Sequence, residues 1–323
     1  MNQLPLKSSQ LSFQKAFNST FHQSFDFNEF INLDTEKEYG QFNIHNRLIL
    51  SPSQKLKKFL RFLNSFIFDY ADINSNVVFS YRRGKNAYSA VKKHANSQYF
   101  FQTDIKDFFN SISMQEVKKV LKDNLKKSPI CDLNNYQNQL LNLLIVNNTL
   151  PVGFSTSPSI SNTCLYNFDI ALENYCLEHD IIYTRYSDDL ILSSNSKEAL
   201  NNIQEVVSQQ LKLFFNDQIQ LNPKKTKHTH KGKKIKLLGM VILPSGKVTV
   251  DKKFKQPLEI LLHFYINDKH KFSDYLEGHY SGNLSKISGQ LNYINTIDKA
   301  YLNKLRKKYG NFIIDAFFHQ SIK

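Results

Sequence analysis

Three aspartates carry the densest chemistry in this chain. Asp104 ends the apolar run YFFQTD at 99–104, and Asp188 and Asp189 sit side by side in IIYTRYSDDLILSS at 181–194. The second stretch is rich in Ile, Leu, Tyr and Thr on both sides of Ser187-Asp188-Asp189, which predicts a hairpin whose turn presents two carboxylates. Hairpins usually turn on Asn-Gly or Asp-Gly. Two adjacent negative charges at such a corner repel, and something positive must offset them. If the strand ending in Asp104 neighbours that hairpin, three carboxylates share one place. Hard divalent cations with oxygen ligands answer such a cluster. A pair of ions about 3.5–4 Å apart clamps the attacking and leaving oxygens of a phosphoryl transfer. Taken singly, each part has a plainer reading, since a strand-ending aspartate more often caps a turn.

The elements that must position these residues alternate along the middle of the chain. KLKKFLRFLNSFIFDY (55–70) has the helical period, and a basic, glycine-broken stretch follows at 77–94. Ser113 and Glu116 have the spacing of a capping box that opens a helix through VKKVLKDNL. The loop LPVGFSTSP leads into a long helix, with Ser157 as its cap and Pro158 in its first turn. Ile160, Cys164, Phe168, Leu172 and Cys176 share one face of it. A further helix, at 196–215, turns Leu200, Ile203, Val207, Leu211 and Phe214 inward. LLGMVILPSGKVTV (237–250) predicts a second hairpin on Pro-Ser-Gly, and the pattern is helical from Lys252 onward. The class this predicts is α+β, an antiparallel sheet backed by helices.

Bulk properties narrow the partners. The chain has 323 residues, enough for two or three packed subdomains. Its formal charge of +14 argues for a polyanion, and nucleic acid above all, against the plainer reading of a generally basic protein from an A/T-rich genome that favours Lys and Asn codons. The segment 224–236 gathers Lys224, Lys225, Lys227, Lys231, Lys233, Lys234 and Lys236, read as a phosphate-binding stripe against the alternative of a solvated loop. Cys131, Cys164 and Cys176 form no C-x-x-C, which fits neither a zinc site nor a disulfide framework and suits a reducing cytoplasm. No apolar run approaches the ~18 residues of a membrane span, and MNQLPLKSSQLSFQ lacks the layout of a signal peptide.

In this order the motifs resemble the bacterial retron-type reverse transcriptases, within the RNA-templated polymerases. The resemblance runs from about Arg47 to Gly310 and rests on TDIKDFFNSI, LPVGFSTSPSISN, the Tyr-x-Asp-Asp box in YTRYSDDL, LNPKKTK and LLGMVI. It implies a right-hand polymerase fold of fingers, palm and thumb. Residues 1–98 would be an N-terminal segment and fingers, 99–250 the palm with a fingers insertion at about 115–150, and 251–323 a helical, RNA-binding thumb. It implies two Mg²⁺ ions held by Asp104, Asp188 and the backbone carbonyl of Ile105, with Asp189 the third carboxylate. Lys225 matches a lysine that approaches the triphosphate, with Lys224 its rival. Phe109 matches a bulky residue under the sugar that excludes a 2′-hydroxyl, unless it and Phe108 are both core. Arg47, Val152 and Gly153 take nucleotide-binding positions, with Ser157-Pro158 shaping the same loop. Tyr186, Gly239, Lys231, Lys233, Lys234, Arg306 and Lys307 take nucleic-acid-binding positions.

Three places depart from that pattern. Val152 stands where most of the family has Gln. Residues 90–94 keep only His94 of Asn-Ala-x-x-His, and Leu237-Leu238-Gly239 replaces Val-Thr-Gly. The implied activity is RNA-directed DNA synthesis from deoxynucleotides on a structured noncoding RNA, template and primer at once. A separate effector protein and a role in anti-phage defence in the bacterial cytoplasm go with it. A template-independent or protein-primed polymerase of abortive-infection type keeps the same carboxylates, and Val152 leans that way. A non-catalytic RNA-binding scaffold would not need the complete set of three. The role of the first 45 residues, packed on the fingers or binding a partner, stays open at this level.

Overall fold

The computed structural model of the chain describes residues 11–45 and 47–320. Residues 1–10, most of the stretch read as no signal peptide, lie outside them. Chain order begins with two short helices, Phe13–Phe21 and Phe27–Ile31, and an antiparallel hairpin, β1 (Tyr39–Ile44) and β2 (Arg47–Pro52). The helix Gln54–Phe66 follows, capped by Ser53, whose hydroxyl accepts from the Leu56 amide at 3.1 Å. The two short helices that precede it, Phe13–Phe21 and Phe27–Ile31, pack on this helix. Phe13, Phe17 and Phe30 are buried in ring contacts with Phe59 and Phe62. The Phe13 amide also donates to Asp132 Oδ1 at 2.7 Å, which pins the segment to the middle of the chain.

A four-stranded antiparallel sheet forms the centre. Its strands are β3 (Tyr99–Asp104), β4 (Ile182–Tyr186), β5 (Asp189–Ser194) and β6 (Lys227–His230), in the spatial order β4-β5-β3-β6. A three-stranded sheet, β7 (Ile235–Leu237), β8 (Met240–Ile242) and β9 (Val248–Val250), follows, and five helices from Lys252 to Phe318 close the chain. The α+β class read from the sequence is the class observed. Side chains alternate across a strand, and the central sheet uses both faces. Phe101, Leu190 and Leu192 join one core with the N-terminal and middle helices. Phe100 and Ile191 join a second core with β7–β9 and the C-terminal helices.

Several elements differ in detail from their sequence reading. The long helix after the loop is two, Ser157–Cys164 and Tyr166–Glu178, broken at Leu165, though its apolar face stays continuous. Ser157 does not cap. It lies inside the first turn, and its hydroxyl donates to the Pro151 carbonyl at 2.6 Å, which ties helix to loop. Ser113 does cap, but Glu116 pairs with Lys119 at 2.8 Å instead of closing the box. In the helix Ile203–Phe215 the fully buried aromatic is Phe215, with Phe214 only partly covered. No helix among the described residues is long and apolar enough to cross a membrane.

His94 locks the helix Ala87–Lys93 to the central sheet. It is fully buried, with Nδ1 at 2.6 Å from Ser193 Oγ and Nε2 at 2.7 Å from Thr184 Oγ1. Burial, with Lys93 nearby, pushes its pKa down to about 3. As the pH falls below the ordinary histidine value near 6.5, the unfolded chain takes up a proton that the folded chain refuses. Stability therefore drains between about 6.5 and 3. Between pH 7 and 5 this group is expected to cost about 2 kcal/mol. Urea unfolding of the wild type and His94→Gln at both pH values checks it: the variant should lose less on acidification, and parallel losses would refute the assignment.

Candidate active site

The site begins at one end of the central sheet. β3 and β5 are neighbours in a register that sets Asp104 opposite Asp189, and the Ile105 amide donates to the Asp188 carbonyl at 3.0 Å. The adjacency that the sequence reading required is therefore met. Asp104 is 3% exposed, with Oδ1 buried and without a hydrogen-bond partner, while Oδ2 accepts from Lys225 Nζ. Burial, then the charges of Asp188 and Asp104, raise the pKa of Asp189 to about 6; Lys225 and Lys227 oppose this only in part. The hydrogen bond to Asp104 raises the pKa of Lys225 in turn.

Lys225 is delivered by a short turn stitched to β3. The Asn222 amide donates to the Asp104 carbonyl at 2.8 Å, the Thr226 hydroxyl to the Asn222 carbonyl at 2.9 Å, and Thr103 and Thr226 hydroxyls lie 2.7 Å apart. The turn between β4 and β5 needs more support, because Ser187 takes a left-handed φ of 59° that a non-glycine residue adopts reluctantly. Its amide donates to Ser80 Oγ at 2.7 Å, its hydroxyl meets the Tyr81 hydroxyl at 3.0 Å, and its carbonyl accepts from Arg185 at 3.1 Å. Arg185 is itself fully buried. Its guanidinium grips the Asp169 carboxylate through Nε at 2.8 Å and a terminal nitrogen at 2.6 Å, and reaches Asn162 Oδ1 at 3.1 Å. The Tyr183 hydroxyl also donates to Asp169, at 2.8 Å. None of Arg185, Asp169, Ser80 and Tyr81 was singled out from sequence. The available signal was one acid on the apolar stripe of a helix and one base on the buried side of a strand.

A family model described as reverse transcriptase (RNA-dependent DNA polymerase) matches residues 40–242. The chain belongs to that family. The retron Ec83 reverse transcriptase of Escherichia coli is 28% identical over 278 residues, 84% of this chain and 85% of its own length. Retron Ec73 and retron Ec86 reverse transcriptases of the same species are 29% and 23% identical over 81% and 82% of this chain, and 83% and 78% of their own lengths. The reverse transcriptase is thus of retron type, an RNA-directed DNA polymerase with an RNA template and a DNA product.

Other residues that the resemblance singled out take varied places in this reverse transcriptase. Phe108 is core, while Phe109 is half-buried beside it with ring centroids 5.3 Å apart. Arg47 is exposed at the start of β2. Val152 serves through its backbone, its carbonyl accepting from the Leu50 amide at 2.8 Å. A Cβ on Gly153, whose φ is 112°, would strike the Leu50 carbonyl oxygen, so this glycine lets β2 lie against the loop. Tyr186 ends β4 opposite Asp189. Leu238 and Gly239, both with positive φ, form the two-residue turn between β7 and β8.

The basic stripe is not gathered as the sequence suggested. β6 runs antiparallel to β3 and carries the chain away from the carboxylates, so that Lys227 stands opposite Gln102 but His230 opposite Tyr99. Lys224, Lys225 and Lys227 stay at the carboxylate end. Lys231, Lys233 and Lys234 emerge at the far end, and Lys234 pairs with Asp251 at 2.9 Å. Arg306 turns inward to Asp315 at 2.9 Å, whereas Lys307 is exposed.

Among the described residues no three His, Cys, Asp or Glu side chains already converge as a metal cage. The carboxylates nevertheless fit a divalent cation. They supply only hard oxygen donors, Asp104 Oδ1 is buried without a partner, and a lysine ammonium sits on Oδ2 as a counter-charge.

The Arg185–Asp169 pair yields a stability prediction. Arg185→Met strands a buried carboxylate and should cost about 3–5 kcal/mol, whereas the double replacement Arg185→Met with Asp169→Leu should recover much of that loss. Denaturant midpoints of the two single variants and the double variant decide it. Additive losses would mean the pair does not act as a unit.

Proposed function

We propose that Asp104, Asp188 and Asp189 form the catalytic centre of this RNA-directed DNA polymerase and hold two Mg²⁺ ions with the Ile105 carbonyl. The reading is carried by the register of β3 and β5, which opposes Asp104 to Asp189 where Asp104 keeps an unpartnered oxygen. When bound, the ions lower the pKa of a primer hydroxyl and neutralise the departing pyrophosphate. The residues of this chain do the rest. Asp189 would add negative charge toward such cations, and the long, half-exposed side chain of Lys225, now on Asp104, would reach the triphosphate. Phe109, five residues after Asp104 in the short helix Phe108–Ser111, would exclude a 2′-hydroxyl. The template is a structured noncoding RNA that also primes, as the similarity to retron reverse transcriptases supports. By the same analogy a separate effector protein completes an anti-phage system in the bacterial cytoplasm. Residues 1–98, 99–250 and 251–323 serve as N-terminal segment and fingers, palm, and RNA-binding thumb.

Two variants test the centre. Asp188→Asn should abolish DNA synthesis while leaving RNA affinity within about tenfold, because phosphate contacts from lysines are untouched. Full synthesis by that variant would end the proposal. Phe109→Ala should raise ribonucleotide use relative to deoxynucleotide by at least about tenfold, read from single-nucleotide extension with each substrate. An unchanged ratio would make Phe109 a core residue only.

The raised pKa of Asp189 gives a further expectation for metal-free protein. Its folded value near 6 exceeds the ordinary carboxylate value near 3.8, so its ionisation costs stability as pH rises through 6. Asp189→Asn should therefore raise the unfolding free energy from urea titration at pH 8 in EDTA by on the order of 1 kcal/mol after screening is allowed for. The gain should shrink at pH 5, and a gain equal at both pH values would contradict the charge argument.

A further inference from the structure

The central sheet ends on one side in β6, which pairs with β3 and with no other strand among the described residues. The opposite edge is closed, because the Phe79 amide donates to the Arg185 carbonyl and the Arg185 amide to the Val77 carbonyl. Beside β6 the Lys231 amide donates to the Gln98 carbonyl at 2.9 Å, and hydrogen-bonded pairs alternate along an antiparallel ladder. Lys227 and Thr229 therefore turn their backbone groups toward β3, while His228 and His230 turn theirs outward. The His230 carbonyl accepts from the Lys233 amide at 2.9 Å. The amide and carbonyl of His228 and the amide of His230 find no partner among the described residues, and both residues are exposed.

Two further features adjoin this edge. A hollow of about 320 Å³ opens beside it, walled by half-buried Tyr99 and by His228, His230 and Asn201. The His230 ring is steadied there by the Gly232 amide, which donates to Nδ1 at 3.1 Å. The second feature is charge. Lys197 lines the hollow, Lys227 and Lys231 bracket the strand, and none of the three forms an ion pair among the described residues. Glu198, next to Lys197, instead accepts from Ser196 at 2.8 Å. An edge with free donors and acceptors is a template for one more strand. Lysines along it hold like edges apart, because two copies meeting edge to edge would bring their ammonium groups together. The same lysines favour an extended segment that carries carboxylates. Backbone pairing supplies the affinity of such an addition, and a hollow beside it the selectivity. A nucleic-acid strand could neutralise the lysines but has no row of amides and carbonyls to match the edge.

We infer that β6 is a docking edge for an extended acidic segment of a partner protein. The segment adds to the sheet as a fifth strand and seats one aromatic side chain against Tyr99 and the two imidazoles. The place is distinct from the carboxylates. The hollow lies where β3 begins at Tyr99, and Asp104 closes that strand roughly 17 Å away.

The test uses the full chain with an unlabelled template–primer duplex in excess. Anisotropy of the fluorescein-labelled heptapeptide Glu-Thr-Glu-Phe-Glu-Thr-Glu reports the edge. Saturable binding is expected below about 1 mM, and its absence would overturn the inference. Alternate residues of a strand present their amides to the same edge, so N-methylation of the even or of the odd residues blocks one edge at a time. One methylated peptide should bind at least about tenfold more weakly and the other within about threefold of the parent. Equal effects would mean attraction by charge alone and would overturn strand addition. His228→Pro removes an outward donor at a position where an edge strand tolerates proline, and should weaken binding at least about tenfold relative to His228→Ala, which keeps that donor. Lys197→Glu should weaken binding of this peptide and strengthen that of its lysine counterpart. Unchanged binding in both His228→Pro and Lys197→Glu would overturn the site. DNA synthesis on a generic template–primer should be unchanged in both variants. If the proline variant fails to fold, the methylated peptides and Lys197→Glu decide the matter. Tetrathymidylate that displaces the peptide and is itself weakened by His228→Pro would assign the edge to nucleic acid. A homodimer dispersed by His228→Pro would assign it to a second copy, and either result would overturn the acidic partner. A wild-type chain that makes no DNA but shows the peptide results would refute the polymerase centre and leave this edge standing.

Discussion

Like charge gathered at the end of one sheet is the constraint on which the rest of the structure turns. Three carboxylates brought together by backbone register repel, and a fold that left them free would push them apart. The chain answers with rigidity behind them and a cation in front. Behind, the β3–β5 ladder fixes Asp104 and Asp189, and the Asp188 carbonyl is tied to the Ile105 amide. In front, Lys225 occupies the Asp104 carboxylate. That ammonium sits on a long side chain that is itself about half exposed, over a carboxylate that is almost fully buried.

Rigidity at the turn comes from a part of the molecule with no catalytic chemistry of its own. The guanidinium of Arg185 is fork-shaped and always charged, so it can satisfy Asp169 with two nitrogens and still donate to the Ser187 carbonyl with another. A lysine could not hold both. The cost of burying that ion pair is met by Tyr183 and Asn162, which complete its hydrogen bonds. Ser187 can then keep its left-handed backbone without glycine, and the hydroxyl that glycine would lack gives Tyr81 a partner.

Much of this was legible in the sequence because the signals were local. Alternating apolar residues around Ser187-Asp188, the Pro-Ser-Gly turn and the run ending in Asp104 each mark their own strand, whereas the meeting of Asp104 with the paired aspartates was a condition that only the β3–β5 register meets. The break at Leu165 was hidden because the helical stripe of Ile160, Cys164, Phe168, Leu172 and Cys176 stays in phase across it. β6 was hidden for the opposite reason. As an edge strand its residues Lys227–His230 are mostly exposed, so no apolar alternation marks them, and the segment read as one basic stripe. The strand then divides that stripe between two ends of the sheet. Arg185 and Asp169 sit on different elements, and no periodicity within either one joins them.

The aromatic segment at the N-terminus carries a consequence for how the chain comes to be folded. Helix Phe13–Phe21 is the first described helix to be synthesised, yet Leu11 bridges to Ile130 and the Phe13 amide is satisfied by Asp132, 119 residues later. At translation rates of about 5–20 residues per second, that leaves Phe13 without Asp132 and Tyr136 for roughly 6 to 24 seconds, whereas Phe17 meets Phe59 and Phe62 sooner. During that interval the segment can pack on Phe59 and Phe62, but its anchoring to the middle of the chain is a late event. Completion of this contact is therefore paced by the ribosome and not by the intrinsic speed of helix formation.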